Sequence, residues 1–192
     1  MSRNTKIVLG LLAALLVVCL CGAVVLFGGL GILGTRIAQN TTTQPAQVAN
    51  VAHTIVDYQL PEGWQAQFGM NIAGVAMAGF RTNDSQGYAM LMKFPAALAG
   101  NESAMENQFN QSMQRQNPGA PRQMQTVGRQ TVTIRGQSVQ LTVSEGTNGK
   151  GVPFHALTGF FQSDSGPVLL SVGGPKATWN EQQVMAFIAS IR

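Results

Sequence analysis

The sequence has little cysteine and little charge. Its two cysteines, Cys19 and Cys21, both lie inside one apolar run, so the rest of the chain offers no intrachain disulfide and no thiol nucleophile. Charged residues make up only 10% of the chain. Once Arg3, Lys6 and Arg36, which flank the run, are set aside, nine basic residues stand against eight acidic ones. This balance excludes the basic footprint of a nucleic-acid-binding protein.

Catalytic and metal-binding motifs are missing as well. The chain contains no Gly-x-Ser-x-Gly sequence, no Ser-x-x-Lys sequence and no phosphate-binding loop. Its two histidines, His53 and His155, lie in no cluster with metal-ligand spacing. We therefore predict a protein that is not an enzyme, with no catalytic residue, no cofactor and no metal site.

The longest apolar run, residues 7–33, contains no charged residue. A transmembrane helix needs about 20 apolar residues. Two basic residues precede the run and one follows it, which places the start of the chain in the cytoplasm. We predict a single-pass protein of the cell membrane, with residues 1–6 cytoplasmic and residues 7–33 in contact with the lipid bilayer. A cleaved secretory signal is the alternative, and the sequence alone does not decide between the two.

Residues 34–52 are polar, rich in threonine and broken by Pro45, a composition typical of a flexible linker. Residues 53–192 then form one extracytoplasmic domain that is long enough to bury a core. Apolar runs and alternating patterns in this domain predict roughly six to eight antiparallel strands. The strand candidates are residues 54–60, 65–71, 74–81, 87–94, 125–135, 139–144, 154–162 and 167–172.

Two helices are predicted to cover part of this sheet. In residues 101–116 apolar side chains recur every four residues and share one helix face: Met105, Phe109 and Met113. The second predicted helix follows Thr178 and Glu181, which have the spacing of a capping box. They precede a stripe that would pack on the sheet: Val184, Phe187, Ile188 and Ile191. The predicted fold class is α+β, an N-terminal transmembrane helix followed by an antiparallel sheet with two covering helices.

The segment Tyr58-Gln-Leu-Pro-Glu-Gly-Trp64 resembles the opening Tyr-x-x-Pro-x-Gly-Trp element of the PsbP-like superfamily, which includes anchored bacterial domains of unknown function. The order of predicted elements over about residues 53–192 is also similar. The resemblance implies an α/β/α sandwich around an antiparallel sheet. It implies no catalytic residue, because that superfamily has no shared active site.

Large aromatic side chains are the candidates for a binding surface, because they supply most contact energy where they are exposed. The candidates are Tyr58, Trp64, Phe160, Phe161 and Trp179. We predict a membrane-anchored, extracytoplasmic binding or scaffold domain, with a protein partner at the membrane surface. One alternative is a cell-surface hydrolase whose site joins His53 or His155 to a carboxylate and a serine. The other is an accessory subunit of a membrane complex, held through small residues such as Gly10 and Ala14.

Overall fold

Most of the described chain is built around the pairing of β-strands. The computed structural model describes residues 41–82, 86–106, 108–109, 122–148 and 150–192. Within these residues, eight strands form one antiparallel sheet in the order β1-β2-β3-β4-β8-β7-β6-β5. The strands are β1 (Thr41–Thr42), β2 (Gln65–Ile72), β3 (Val75–Arg81), β4 (Tyr88–Lys93), β5 (Arg122–Ile134), β6 (Gln137–Thr147), β7 (Pro153–Ser163) and β8 (Gly166–Pro175).

The sheet joins two groups of strands that are consecutive in the chain. Strands β1 to β4 form one group and strands β5 to β8 the other, and β4 pairs with β8 between them. In this pairing Leu91 lies opposite Leu170, and Ala89 lies opposite Val172. The last strand of the chain thus occupies the middle of the sheet, where each of its ten residues is buried.

Because side chains alternate along each strand, the sheet has two apolar faces. The first, which we call face A, carries a large core that includes Phe80, Leu91, Leu157 and Leu170. The second, face B, carries a smaller core that is unusually rich in methionine and also contains Phe94 and Leu169. Methionine fills irregular space well because its side chain is flexible. The methionines of this core are Met70, Met77, Met90, Met92 and Met105.

Two helices pack on face A. Helix α1 (Pro45–His53) begins with a proline, which suits the first helical position because its backbone donates no hydrogen bond there. Helix α1 crosses β2 so closely that a Cβ added to Gly69 would lie 3.2 Å from the Cα of Val48. Helix α2 (Glu181–Ser190) begins after Asn180, whose side chain accepts a hydrogen bond from the backbone of Gln183.

Helix α2 confirms the apolar stripe that was predicted for residues 184–191. The four residues of that stripe, Val184, Phe187, Ile188 and Ile191, are all buried in the core of face A. The capping residue, however, is Asn180 rather than Thr178, so the helix begins at Glu181. In the helix predicted at residues 101–116, residues 102–106 and 108–109 are helical, and Met105 and Phe109 join the core of face B. Residues 107 and 110–116, with Met113, lie outside the described residues.

The predicted fold class is wrong, because the α/β/α arrangement of layers is not present in the described residues. The described residues form mainly one large antiparallel sheet with few and short helices, not an α/β/α sandwich. Helices α1 and α2 have only nine and ten residues and cover parts of face A. The described helical residues at face B, 102–106 and 108–109, are few, so neither face carries a complete layer of helices. The sandwich was implied by the resemblance of one short turn and of the order of predicted elements, and neither specifies how helices are distributed over a sheet.

The predicted membrane anchor also needs correction. None of the helices in residues 41–82, 86–106, 108–109, 122–148 and 150–192 combines the length and the apolar character that crossing a bilayer requires. The predicted single-pass placement in the cell membrane, with an extracytoplasmic domain, is contradicted by this finding. Residues 1–40, with the predicted span 7–33 and its contact with lipid, lie outside the described residues.

Part of the predicted linker belongs to the folded structure. Residues 41–52 include β1 and nearly all of α1, and the side chains of Val48 and Ala52 are completely buried. The polar composition concealed this helix because only one narrow stripe of small apolar residues faces the sheet. The described fold therefore begins before residue 53.

The strand predicted at residues 54–60 is not present. Residues 54–56 close the end of α1, with Ile55 and Val56 donating backbone hydrogen bonds to Ala52. The backbone of Asp57 instead pairs with that of Arg192, through two hydrogen bonds of 2.8 and 3.2 Å. The apolar pattern correctly predicted burial, because Ile55 and Val56 lie in the core. It could not show that their backbone groups bond to a helix end rather than to a strand.

Replacing Phe187 by alanine should strongly destabilise the fold. Its ring is fully buried and lies 5.3 Å from that of Trp64 and 6.0 Å from that of Phe80, measured between centroids. We expect Phe187→Ala to lower the free energy of unfolding by about 3–5 kcal/mol, measured by urea denaturation. The control Gln182→Ala, at an exposed position of the same helix, should change it by less than about 0.5 kcal/mol. A loss below about 1 kcal/mol for Phe187→Ala would contradict this packing.

Candidate functional site

A cleft of about 210 Å³ lies where helix α2 begins, beside the end of β8 and the turn between β3 and β4. Four separate parts of the chain contribute to it, so it exists only in the folded protein. Its walls contain both tryptophans of the sequence, and none of the lining residues that the structure describes is charged. The lining residues are Trp64, Thr82, Gly87, Val172, Gly173, Gly174, Thr178, Trp179, Asn180, Gln183 and Val184.

Trp64 forms a rigid wall of the cleft. A tight turn positions it, in which the backbone of Trp64 donates a hydrogen bond to the carbonyl of Pro61. Gly63 within this turn has a φ of 79°, a left-handed conformation that favours glycine. The indole is only 7% exposed and packs on the ring of Phe187. Since both rings belong to the core of face A, the position of Trp64 is fixed by the fold.

Trp179 also lines the cleft and is more accessible than Trp64. It follows a 3-10 turn at Lys176–Thr178 and remains half-buried. Its indole nitrogen donates a 2.6 Å hydrogen bond to Glu181, in the first turn of α2. Its ring centroid lies 4.7 Å from that of His155. These contacts hold the indole in place while part of its surface stays in contact with the cleft.

Gly174 gives the indole of Trp179 its space. On face A, Glu145, His155 and Gly174 are cross-strand neighbours on β6, β7 and β8. A Cβ added to Gly174 would lie 3.7 Å from the ring of Trp179 and 3.4 Å from the Cα of Gly87, both ordinary contact distances. A larger side chain at this position would project into the cleft.

A charged cluster supports the outer side of Trp179. Lys176 donates a 2.5 Å hydrogen bond to Oε2 of Glu145, and Oε1 of Glu145 lies 3.3 Å from Nδ1 of His155. The hydrogen bond from Lys176 is the main cause of a lowered pKa of Glu145, and the contact with His155 adds to it. The carboxylate therefore ties β6 and β7 to the turn that carries Trp179. None of these three residues lines the cleft itself.

The beginning of helix α2 brings polar amides to the cleft. The oxygen of the Asn180 side chain is used as the helix cap, which leaves its NH₂ group as a donor. The neighbouring Gln183 is half-buried, and its side-chain amide makes no hydrogen bond within the described residues. The negative side chain at this helix end, Glu181, bonds Trp179 and lies 3.5 Å from the amide of Gln130. The cleft therefore offers neutral hydrogen-bonding groups.

The structure brings together two of the five aromatic residues proposed from the sequence. Trp64 and Trp179 line the cleft. Tyr58 lies near it but packs between His53 and Phe80, with ring centroids 5.2 Å away from each. The five proposed residues thus do not form one surface.

The remaining two candidates lie away from the cleft, on opposite faces of the sheet. Phe161 is 3% exposed and belongs to the core of face A. Phe160 points to face B, where its ring centroid lies 6.0 Å from that of Phe94. Adjacent residues of a strand point in opposite directions, so this pair could not have formed a common surface.

The sequence did not point to Asn180, Gln183 or Gly174 as site residues. The sequence identified Asn180 and Gln183 only as residues at the start of a helix, and Gly174 lay two residues beyond the predicted strand 167–172. The Asn-x-x-Gln spacing at the start of a predicted helix was the one signal available, and it indicates a cap rather than a binding site.

The two histidines each contact one carboxylate. His53 Nδ1 lies 3.1 Å from Asp57, at an exposed position, and His155 contacts Glu145 as described. Within the part of the chain that the structure describes, no three side chains of histidine, cysteine, aspartate or glutamate are grouped so that they could hold a metal ion.

Comparison with known proteins provides no functional assignment. No protein-family model matches the chain, and no curated protein matches it. Among solved structures it is similar to a protein from Bacteroides thetaiotaomicron VPI-5482, with 12% sequence identity and a TM-score of 0.45. The similarity covers 80% of this chain and 47% of that protein, so the chain spans about half of that protein's length. The resemblance to the PsbP-like superfamily remains a prediction that these comparisons do not test.

Replacing Glu145 by glutamine should reduce stability in a pH-dependent way. A carboxylate whose pKa is lowered by folding stabilises the fold above its unfolded pKa, and this contribution disappears as the pH falls through the lowered value. We therefore expect Glu145→Gln to have a lower melting temperature than the wild type at neutral pH. The difference should shrink between roughly pH 5 and pH 2.

The control for this experiment is Glu62→Gln, which changes an exposed carboxylate in the turn before Trp64. Its melting temperature should follow that of the wild type at every pH. If Glu145→Gln has the same melting temperature as the wild type at neutral pH, the contact between Glu145 and Lys176 does not contribute to stability.

Proposed function

We propose that this chain is a non-catalytic binding domain whose ligand occupies the cleft between Trp64 and Trp179. The observation that carries the proposal is the meeting of the two tryptophans from distant segments at one cleft, whose described lining residues carry no charge. Small-molecule sites are typically concave, lined by apolar and aromatic groups, and supplied with a few placed polar groups. The cleft has this composition, with the side chains of Asn180 and Gln183 as polar groups.

The rigidity of the cleft supports a binding role. Trp64 is fixed by Phe187, and Trp179 is fixed by Glu181 and His155. A wall that is already ordered loses little conformational entropy when a ligand binds. The contacts with a small ligand then contribute to the binding free energy without a large opposing cost for ordering the protein.

A hydrolytic role finds less support. A hydrolase of the kind considered above needs a histidine that contacts both a carboxylate and a hydroxyl nucleophile. His155 and His53 each contact a carboxylate, but no serine hydroxyl in the described ranges is hydrogen-bonded to either ring. His155 is in addition packed beside Trp179 and outside the cleft lining. These contacts favour a positioning role for His155.

A protein partner would use this cleft only as an anchor pocket. Stable protein interfaces bury about 800 Å² on each partner, far more than one small cleft provides. The volume of about 210 Å³ is below the roughly 300–1,000 Å³ of typical small-molecule pockets, so the cleft has room for a single ring or side chain. We therefore place a small molecule, or one small group of a larger ligand, in the cleft.

Replacing Trp179 by alanine should remove most binding at the cleft. The measurement is saturation-transfer NMR with a library of fragment-sized compounds, in which binders of the wild-type protein are titrated against the variant. We expect Trp179→Ala to weaken cleft binders about tenfold or more, because it removes one wall of the site.

The control Val127→Ala shortens an apolar side chain that is 56% exposed on edge strand β5, and it should leave binding unchanged. Gln183→Ala provides a second test that does not alter an aromatic wall. If the library gives no binder, or if binders are insensitive to both cleft variants, the proposed function is wrong.

A further inference from the structure

We infer that the ligand of the two-tryptophan cleft is a neutral sugar ring. This inference rests on the proposed function, since it names the class of ligand for the same site. It depends on three properties of the cleft: the character of its walls, the absence of charge among the lining residues that the structure describes, and the groups at the start of α2 that can bind hydroxyls.

The walls suit the two faces of a sugar ring. A pyranose presents C–H groups on its faces and hydroxyl groups around its edge. An indole face carries partial negative charge and attracts such weakly positive C–H groups, while also burying apolar surface. Trp64 and Trp179 supply two indoles at one cleft of about 210 Å³. This space holds about seven waters at their volume in the liquid, which a single ring with its hydroxyls could displace.

The charge distribution disfavours an ionic ligand. The positive end of the α2 dipole could attract an anion, but Glu181 already lies in the first turn and compensates it. The nearest cation of the supporting cluster, Lys176, is paired with Glu145. A charged ligand would lose its hydration on entering and would gain no opposite charge from the eleven described residues that line the cleft.

The start of helix α2 can bind hydroxyl groups. The NH₂ group of Asn180 donates, and the amide of Gln183 can both donate and accept. A sugar hydroxyl likewise donates and accepts, so it can satisfy both kinds of group at once. An apolar ring of the same size would leave these amides without partners, which costs binding free energy.

Gly174 allows the cleft to be filled without disturbing the rest of the fold. An added Cβ meets its neighbours at 3.4 Å or more, so a methyl group fits, whereas the branches of valine would extend into the cleft. Gly128, on strand β5, has no atom within 4 Å of an added Cβ and provides a matched position for the same substitution. The pair Gly174→Val and Gly128→Val therefore separates filling of the cleft from the general effect of valine in a strand.

The experiment is a titration of the protein, followed by tryptophan fluorescence and saturation-transfer NMR. The neutral probes are the methyl glycosides of glucose, galactose and mannose, and the charged probe is the methyl glycoside of glucuronic acid. Cyclohexanol serves as an apolar ring of similar size. We expect at least one neutral glycoside to bind with a Kd of about 1 mM, and the glucuronide and cyclohexanol to bind about tenfold more weakly.

The variants then test where the sugar binds. Gly174→Val should weaken the neutral glycoside about tenfold or more, and Gly128→Val should leave its affinity unchanged. If Gly174→Val does not fold, Gly174→Ala replaces it, with Gly128→Ala as control and a smaller loss expected. An unchanged affinity in the folded Gly174 variant overturns the inference.

The ligand class and the proposed function can fail separately. If fragments bind at the cleft but no neutral glycoside does, the sugar assignment is wrong and the binding function stands. The same holds if cyclohexanol or the glucuronide binds as tightly as the best neutral glycoside. If neither fragments nor glycosides bind, both the assignment and the proposed function are wrong.

Discussion

The pairing of β4 with β8 is the contact on which the other parts of the structure depend. It joins two groups of strands that are otherwise held together mainly by side-chain packing, and it buries the last strand in the middle of the sheet. Its register sets Leu91 against Leu170 and Ala89 against Val172. One residue of slip would exchange faces A and B for a whole strand, so a buried sheet specifies this register strongly. The same register brings Gly87 beside Gly174 and so forms the floor of the cleft.

Helix α2 connects the core of face A to the candidate site. Phe187 enters the core of face A and packs against Trp64, which fixes the first wall. The turn that precedes the helix carries Trp179, and Glu181 at the helix start binds its indole nitrogen. A helix that is needed for the core thus also determines the distance between the two walls. The stability of the core and the shape of the site are coupled through one element.

Charge lies around the cleft rather than inside it. Glu145, Lys176 and His155 form contacts with one another on the outer side of Trp179, and each thereby loses much of its capacity to attract an ion into the cleft. What remains at the surface of the cleft is aromatic rings, glycine backbone and neutral amides. This combination is the basis for our proposal that the cleft binds a ligand through its shape and its hydroxyl groups rather than through charge.

Local patterns predicted those elements whose burial follows a clear period. The alternation in residues 139–144 and the stripe from Val184 to Ile191 identified β6 and α2, because each element buries one regular face. Where the period was short or irregular, the prediction was wrong. Helix α1 buries only Val48 and Ala52 among polar residues. In residues 54–60, Ile55 and Val56 are buried although the segment is not a strand.

The sequence by itself identified the two tryptophans as candidates for a binding surface. It also showed that the chain contains no recognised catalytic or metal-binding motif. It also determined most of the strands, because backbone pairing within hairpins depends on neighbouring residues. Only the tertiary structure decided that Trp64 and Trp179 share a cleft, that Phe160 and Phe161 do not belong to it, and that Asn180, Gln183 and Gly174 do. These relations depend on the pairing of β4 with β8 and on the docking of α2. Both bring together residues far apart in the chain, so no local pattern encodes them.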